Sequence, residues 1–128
     1  MLGNFRVTAT IPVTDIDKAK DFYINKLGLK ENPKMKDTDG ILLNAGDGTD
    51  LYIYQRGQSK ADHTLATFKV NDIETLISEL FEKGISFEHY DLPNGLKTNE
   101  KGIATMGSVK SAWFKDPDGN ILALIQTD

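Results

Sequence analysis

The stretch "GTDLYIYQ" beginning at Gly48 returns near the end of the chain as "GNILALIQ" beginning at Gly119. Laid over each other, the copies match Leu51 to Leu122, Ile53 to Leu124 and Gln55 to Gln126, and they differ most at Tyr52 and Ala123. A repeat of this kind restricts the chain to two copies of one supersecondary unit. The preceding segments are paired too. "VTATIPVTDIDKAKDFYINKLGL" reads as a strand, an N-cap at Asp15 and a helix closed by Gly28 as C′ residue. "LATFKVNDIETLISELFEKGI" repeats this with Asp72 and Gly84. Asp17 and Glu74 fall in the first helical turns, where the dipole favours negative charge. Ile73, Leu76, Ile77, Leu80 and Phe81 make one apolar stripe at helical spacing.

After each helix come short strand-like runs: "GILLNAG" and "DLYIYQ" in the first half, "ISFEHYD", "SAWFKD" and "NILALIQ" in the second. Both halves therefore read strand, helix, strand, strand, strand. "AGDGTD" and "KDPDGN" supply the turns, with Pro117 pre-set for the second position of a tight turn. The polar stretch "LPNGLKTNEKGIATMGS" has no sustained period, and either closes over a pocket or lies as a plain surface loop. The 128 residues fit one domain with modules at about 1–57 and 62–128. Net charge is −4 with the basic residues scattered, which gives no electrostatic footprint for nucleic acid or an anionic membrane. Zero cysteines removes disulfides, thiolate metal sites and cysteine nucleophiles. With no apolar leader and no run long enough to span a bilayer, the expected location is cytoplasmic.

Paired modules of this order, with "V-x-D-I" opening both helices, "FYINKLGL" ending the first and "WFKDPDGNILAL" closing the chain, resemble the vicinal-oxygen-chelate superfamily of glyoxalases, bleomycin-resistance proteins and extradiol dioxygenases. The resemblance implies an α+β fold of two βαβββ modules, whose curled mixed sheets enclose a cleft with the helices packed on the outer faces. It also implies a homodimer of the closed two-fold kind. Fold alone fixes no activity.

In metal-dependent members of that superfamily, one residue on the first and last strand of each module supplies a His, Glu or Gln ligand. The matching positions here are Thr8, Tyr52, Leu65 and Ala123. None is His, Glu or Gln. Leu65 and Ala123 carry no donor atom, and the hydroxyls of Thr8 and Tyr52 are poor metal ligands at neutral pH. Shifting the register by one residue brings in no better donor. The reading is therefore a chain with no metal or other cofactor.

Strand alternation then describes what the cleft holds. One face of the strands, including Ile11, Phe68, Ile53 and Leu124, is apolar and packs on the helices. The other carries Arg6, Thr8, Thr10, Tyr52, Tyr54, His63, Leu65, Thr67, Ala123 and Ile125, a mixture of aromatic, apolar and hydrogen-bonding groups typical of ligand pockets; the bland alternative is a second core or a dimer interface. Of Trp113 and Phe114, adjacent on one strand, one faces the cleft; we assign Trp113 there. His63 is either a base or a solvated histidine at the start of a strand, and His89 reads as surface. Arg6 either clamps an anion or closes an ion pair at the rim. The carboxylates of Asp15, Asp17, Asp72, Glu74, Asp116 and Asp118 have cap, dipole or turn roles, which leaves no acid–base pair and no assigned catalytic residue. The expected function is metal-free binding of a small-molecule ligand. The alternative is a glyoxalase-like lyase, isomerase or dioxygenase that is metal-independent or uses an unrecognised metal site.

Overall fold

The Asp15 carboxylate accepts hydrogen bonds from the backbone N–H groups of Asp17 at 2.9 Å and Lys18 at 3.2 Å, and Asp72 caps its helix through the Thr75 N–H at 3.2 Å. Gly28 and Gly84 end the two helical segments at φ 83° and 88°, the left-handed conformation that favours glycine. The computed structural model, which describes residues 1–36 and 40–127, divides into two compact units, Met1–Lys60 and Ala61–Asp128.

In the first unit the elements are β1 (Ala9–Val13), helix α1 (Ile16–Lys20), β2 (Lys30–Lys36), β3 (Gly40–Asn44) and β4 (Asp50–Gln55). The second has β5 (Thr64–Lys69), α2 (Ile73–Glu82), β6 (Ala104–Met106), β7 (Val109–Lys115) and β8 (Ile121–Gln126). The strand orders are the same, β1-β4-β3-β2 and β5-β8-β7-β6. In each sheet the first strand runs parallel to the last and the other pairs are antiparallel. The fold is α+β, two open, mixed four-stranded sheets, with one α-helix in each unit among the described residues. No helix among the described residues is long and apolar enough to cross a membrane.

Alternation sorts each sheet into two faces. Ile11, Val13, Ile41, Leu43, Leu51 and Ile53 are buried with Ala19, Phe22 and Tyr23 of the first helical segment, which packs against β4. Ala112, Phe114, Leu122 and Leu124 are buried with Ile73, Ile77 and Leu80 of α2, which packs against β8. The repeated turns also agree. Ala45 N–H donates to the Thr49 carbonyl at 2.9 Å, and Asp116 N–H donates to the Asn120 carbonyl at the same distance.

Several details depart from the sequence reading. The first helix is α-helical only to Lys20 and then widens into a π-helical turn, Asp21–Lys26, marked by Leu27 N–H donating to the Phe22 carbonyl at 2.9 Å. The neighbouring rings of Phe22 and Tyr23 are both buried and meet edge to face at 5.2 Å; the wider turn lets two consecutive aromatics enter one core. The first strand after the helix, required by the module order but not assigned to any stretch, is β2, "KENPKMK": it is charged, contains Pro33 and pairs through a register shift, as an edge strand can. "ISFEHYD" is not a continuous strand. It contributes isolated bridges from Phe87 to Phe114 and from Asp91 to Lys97. The stretch expected to be a loop contains β6, and its earlier part turns back on itself, with Leu92 N–H donating to the Leu96 carbonyl and Thr98 N–H to that of Tyr90.

Candidate functional site

Thr10, Tyr52 and Tyr54 of the first unit, and Thr67, Trp113, Ala123 and Ile125 of the second, fall on the sheet face turned away from the helix of their own unit. In the first unit, cross-strand register arranges this open face in rows. Thr10, Tyr52 and Leu42 lie across from one another, and Pro12, Tyr54 and Gly40 form the next row. Tyr52, Tyr54, Leu42 and Pro12 are half-buried and Thr10 is exposed. The two tyrosine rings are parallel to within 6°, with centroids 6.2 Å apart, an offset arrangement aromatic pairs prefer.

Ahead of β1, Thr8 and Arg6 both turn to Asp50. Thr8 Oγ1 donates to Asp50 Oδ1 at 2.7 Å; Arg6 donates to Oδ2 at 3.0 Å and also to the Gly48 carbonyl. Asp50 keeps only 13% of its side-chain surface while Arg6 keeps 65%. Of the two roles open to Arg6, the observed one is the ion pair at the rim of this face. Phe5 and Val7, which share the parity of Ile11 and Val13, lie in front of the strand and are exposed rather than packed on the helix.

In the second unit, Thr67, Ala123 and Trp113 form one row, and Lys69, Ile125 and Ser111 the next. Trp113 is half-buried on this face, whereas Phe114 is 1% exposed and packs against Phe87 on the helix side at 5.3 Å. Leu65 and Ile125 are half-buried, Thr67 is exposed, and Ala123 is buried.

Tyr90, which sequence reasoning did not single out, meets Trp113 edge to face at 5.6 Å and 78°. Three bonds between Tyr90 and Thr98 hold it: the Tyr90 N–H donates to Thr98 Oγ1 at 2.8 Å, and the Thr98 N–H and hydroxyl donate to the Tyr90 carbonyl at 2.9 Å and 3.3 Å. Burial, with the Glu88 carboxylate as the second cause, pushes the Tyr90 hydroxyl above the ordinary phenol value. Glu88 itself pairs with Lys115 at 3.4 Å, and its N–H donates to the Trp113 carbonyl at 2.8 Å.

The histidines stand elsewhere. His63 lies before β5, exposed and 3.8 Å from Asp62, and a register irregularity at Thr64–Ala66 breaks the alternation that assigned it to the open face. The ring Nε2 of His89 is 3.0 Å from the Glu100 carbonyl. Asp116 and Asn120 of "DPDGN" are buried inside their own turn. The Asp116 carboxylate accepts from the N–H groups of Asp118 and Asn120 and from Asn120 Nδ2, all within 2.9 Å, a structural role.

The donor chemistry at the four positions named above does not fit a divalent metal. The Thr8 hydroxyl, which donates to Asp50, and the Tyr52 phenol are poor neutral ligands, and Leu65 and Ala123 offer hydrocarbon. Among the described residues no group of three or more His, Asp or Glu side chains is placed to hold a metal ion.

Comparison with known proteins gives a match over residues 6–124 to the model of the Glyoxalase/Bleomycin resistance protein/Dioxygenase superfamily. No curated protein matches the chain. Among solved structures, a glyoxalase family protein from Enterococcus faecalis is 27% identical, with TM-score 0.67 over 98% of this chain and 99% of that one. TnmS3, an antibiotic binding protein from Streptomyces sp. CB03234, is 22% identical, with TM-score 0.68 over 97% and 98% of the two chains. The fosfomycin resistance protein FosX from Listeria monocytogenes is 13% identical, with TM-score 0.68 over 97% and 91%.

Proposed function

We propose that the chain, which belongs to the Glyoxalase/Bleomycin resistance protein/Dioxygenase superfamily, is a small-molecule-binding protein that takes its ligand on the open sheet faces without a resident metal. The observation that carries this reading is the replacement of metal donors at Thr8, Tyr52, Leu65 and Ala123 on faces furnished instead with aromatic rings, apolar side chains and hydroxyls. Such surfaces bind by burial and stacking, with a few polar groups fixing orientation. The antibiotic-binding description of TnmS3 and the resistance role of FosX support a ligand of the same broad kind, a small organic molecule.

On this reading Tyr52, Tyr54 and Thr10 serve the first face, with Thr8 and Arg6 at its rim; Leu65, Thr67, Trp113, Ala123 and Ile125 serve the second. A thermal-shift screen of metabolites and antibiotics, run with and without a chelator, tests it. A ligand at a hundred times its dissociation constant stabilises the chain by about 2.7 kcal/mol. The expected result is a hit whose shift is unchanged by the chelator and which alters Trp113 emission. A hit abolished by the chelator and restored by a divalent metal overturns the metal-free part; no hit across a broad panel overturns the binding reading.

A further inference from the structure

We propose that Gly40 is a positioning residue for the first open face. Its missing side chain seats the Tyr52 ring, and the parallel Tyr52–Tyr54 pair so formed selects planar aromatic ligands. This rests on the ligand-binding reading above and names the ligand class.

Glycine is unfavourable in a strand, and Gly40, the first residue of β3 and paired with Tyr54, therefore marks either special backbone geometry or a close approach. Gly40 is not among the glycines at positive φ, so its backbone does not require glycine. Space does. A Cβ built at Gly40 would stand 2.5 Å from Tyr52 Cζ, closer still to its Oη, and 2.9 Å from the Ile53 carbonyl oxygen. Gly28, Gly48, Gly84 and Gly119 show the reverse, positive φ with nothing within 4 Å of the added atom. The Tyr52 ring thus lies along the sheet over Gly40, which pairs directly with Tyr54, and this posture holds the two rings parallel. Stood upright by a side chain at residue 40, Tyr52 would present its edge.

The second unit supplies an internal control. There Ser111 pairs with Ile125 as Gly40 pairs with Tyr54, and the position of Tyr52 is held by Ala123. Where no ring has to be seated, the seat is not glycine.

The test compares naphthalene-2-carboxylate with adamantane-1-carboxylate, anions of equal carbon count, one planar and aromatic, the other globular and saturated. Their affinities for the full chain are measured by calorimetry, with folding of each variant checked by circular dichroism. The wild type is expected to prefer the naphthalene compound by about tenfold, and Gly40→Ala to remove that preference. Tyr52→Leu, which introduces no new crowding, is also expected to remove it. Adding Gly40→Ala to Tyr52→Leu should then change affinity by less than about twofold, as for two residues acting through one contact.

Because an alanine also crowds the Ile53 carbonyl, that last comparison separates the ring from the backbone. An equal loss in both backgrounds overturns the proposal, as does a planar preference that survives Tyr52→Leu. Should Gly40→Ala fail to fold, Tyr52→Leu alone decides. Equal affinities, or no binding of either carboxylate by wild type, overturn this inference. The broader binding reading is judged separately by the thermal-shift screen.

Discussion

The side-chain carbonyl of Gln126, at the end of β8, accepts a hydrogen bond from the backbone N–H of Ile73 at 2.8 Å, across 53 residues of sequence. The last strand of the second unit thereby satisfies one of the orphan donors in the first turn of α2, beside the Asp72 cap. Gln126→Leu should cost about 1 kcal/mol and lower the melting temperature by about 4 °C. Gln126→Glu should keep the bond at neutral pH, with its charge favoured by the helix dipole. Calorimetric melts check both, and an unchanged melt for Gln126→Leu would show that the bond contributes nothing.

Asp72 gives a dependence on acid. The Thr75 side-chain hydroxyl, first among the causes, and the Thr75 backbone N–H hold its carboxyl below the ordinary value. A depressed folded pKa contributes stability that is present above the unfolded value, near 4, and is lost as pH falls through the folded one. Denaturant melts between pH 5 and pH 2, as a range of about 3 units around that value, should therefore fall more steeply for wild type than for Asp72→Asn. Parallel curves would contradict the assignment.

Phe114 and Trp113 are neighbours in sequence with opposite environments. Phe114→Ala should destabilise the chain by about 3–5 kcal/mol, the usual range for a fully buried ring. Trp113→Ala should cost less than about 2 kcal/mol, and it removes the only tryptophan, abolishing the emission change on ligand binding. Urea denaturation of the two variants decides the assignment, since a reversed order would put Trp113 on the helix side.

Tyr90 supplies an alkaline counterpart. Its pKa is raised, chiefly by burial, so the neutral phenol's contribution is complete below the unfolded value near 10 and fades as pH rises through the folded one. Ionised tyrosine quenches a nearby indole, and the Trp113 ring is 5.6 Å away. Emission should fall only above pH 10, and Tyr90→Phe should flatten that fall. If the variant quenches like wild type, another tyrosine is responsible.

What the sequence revealed was what depends on near neighbours. Asp15, Gly28, Asp72 and Gly84 act within one helical turn, and the alternation of β4 and β8 needs only adjacent residues, so caps, helices and open faces could be read directly. What stayed hidden depends on a distant partner. "KENPKMK" is a strand because β3 pairs with it, and β6 is three residues supported by β7. Tyr90 meets Trp113 from a segment that Glu88 ties to the Trp113 backbone and Thr98 holds from the other side, and Arg6 takes its role from Asp50 of β4. The purpose of Gly40 follows from the posture of a ring on the next strand.

Each open sheet is completed by pairing its first strand with its last, Ala9 with Leu51 and Ala66 with Leu122. A chain that carries two such similar completing strands could join β1 to the wrong one. Vectorial synthesis removes most of that danger. Leu51 leaves the ribosome roughly seventy residues before Leu122, a lead of about 4–14 s at ordinary elongation rates. Domains of this contact pattern form within milliseconds to seconds. The first sheet therefore has its proper partner on hand while its rival is still untranslated. Refolding from denaturant, where both completing strands are present from the start, lacks that protection.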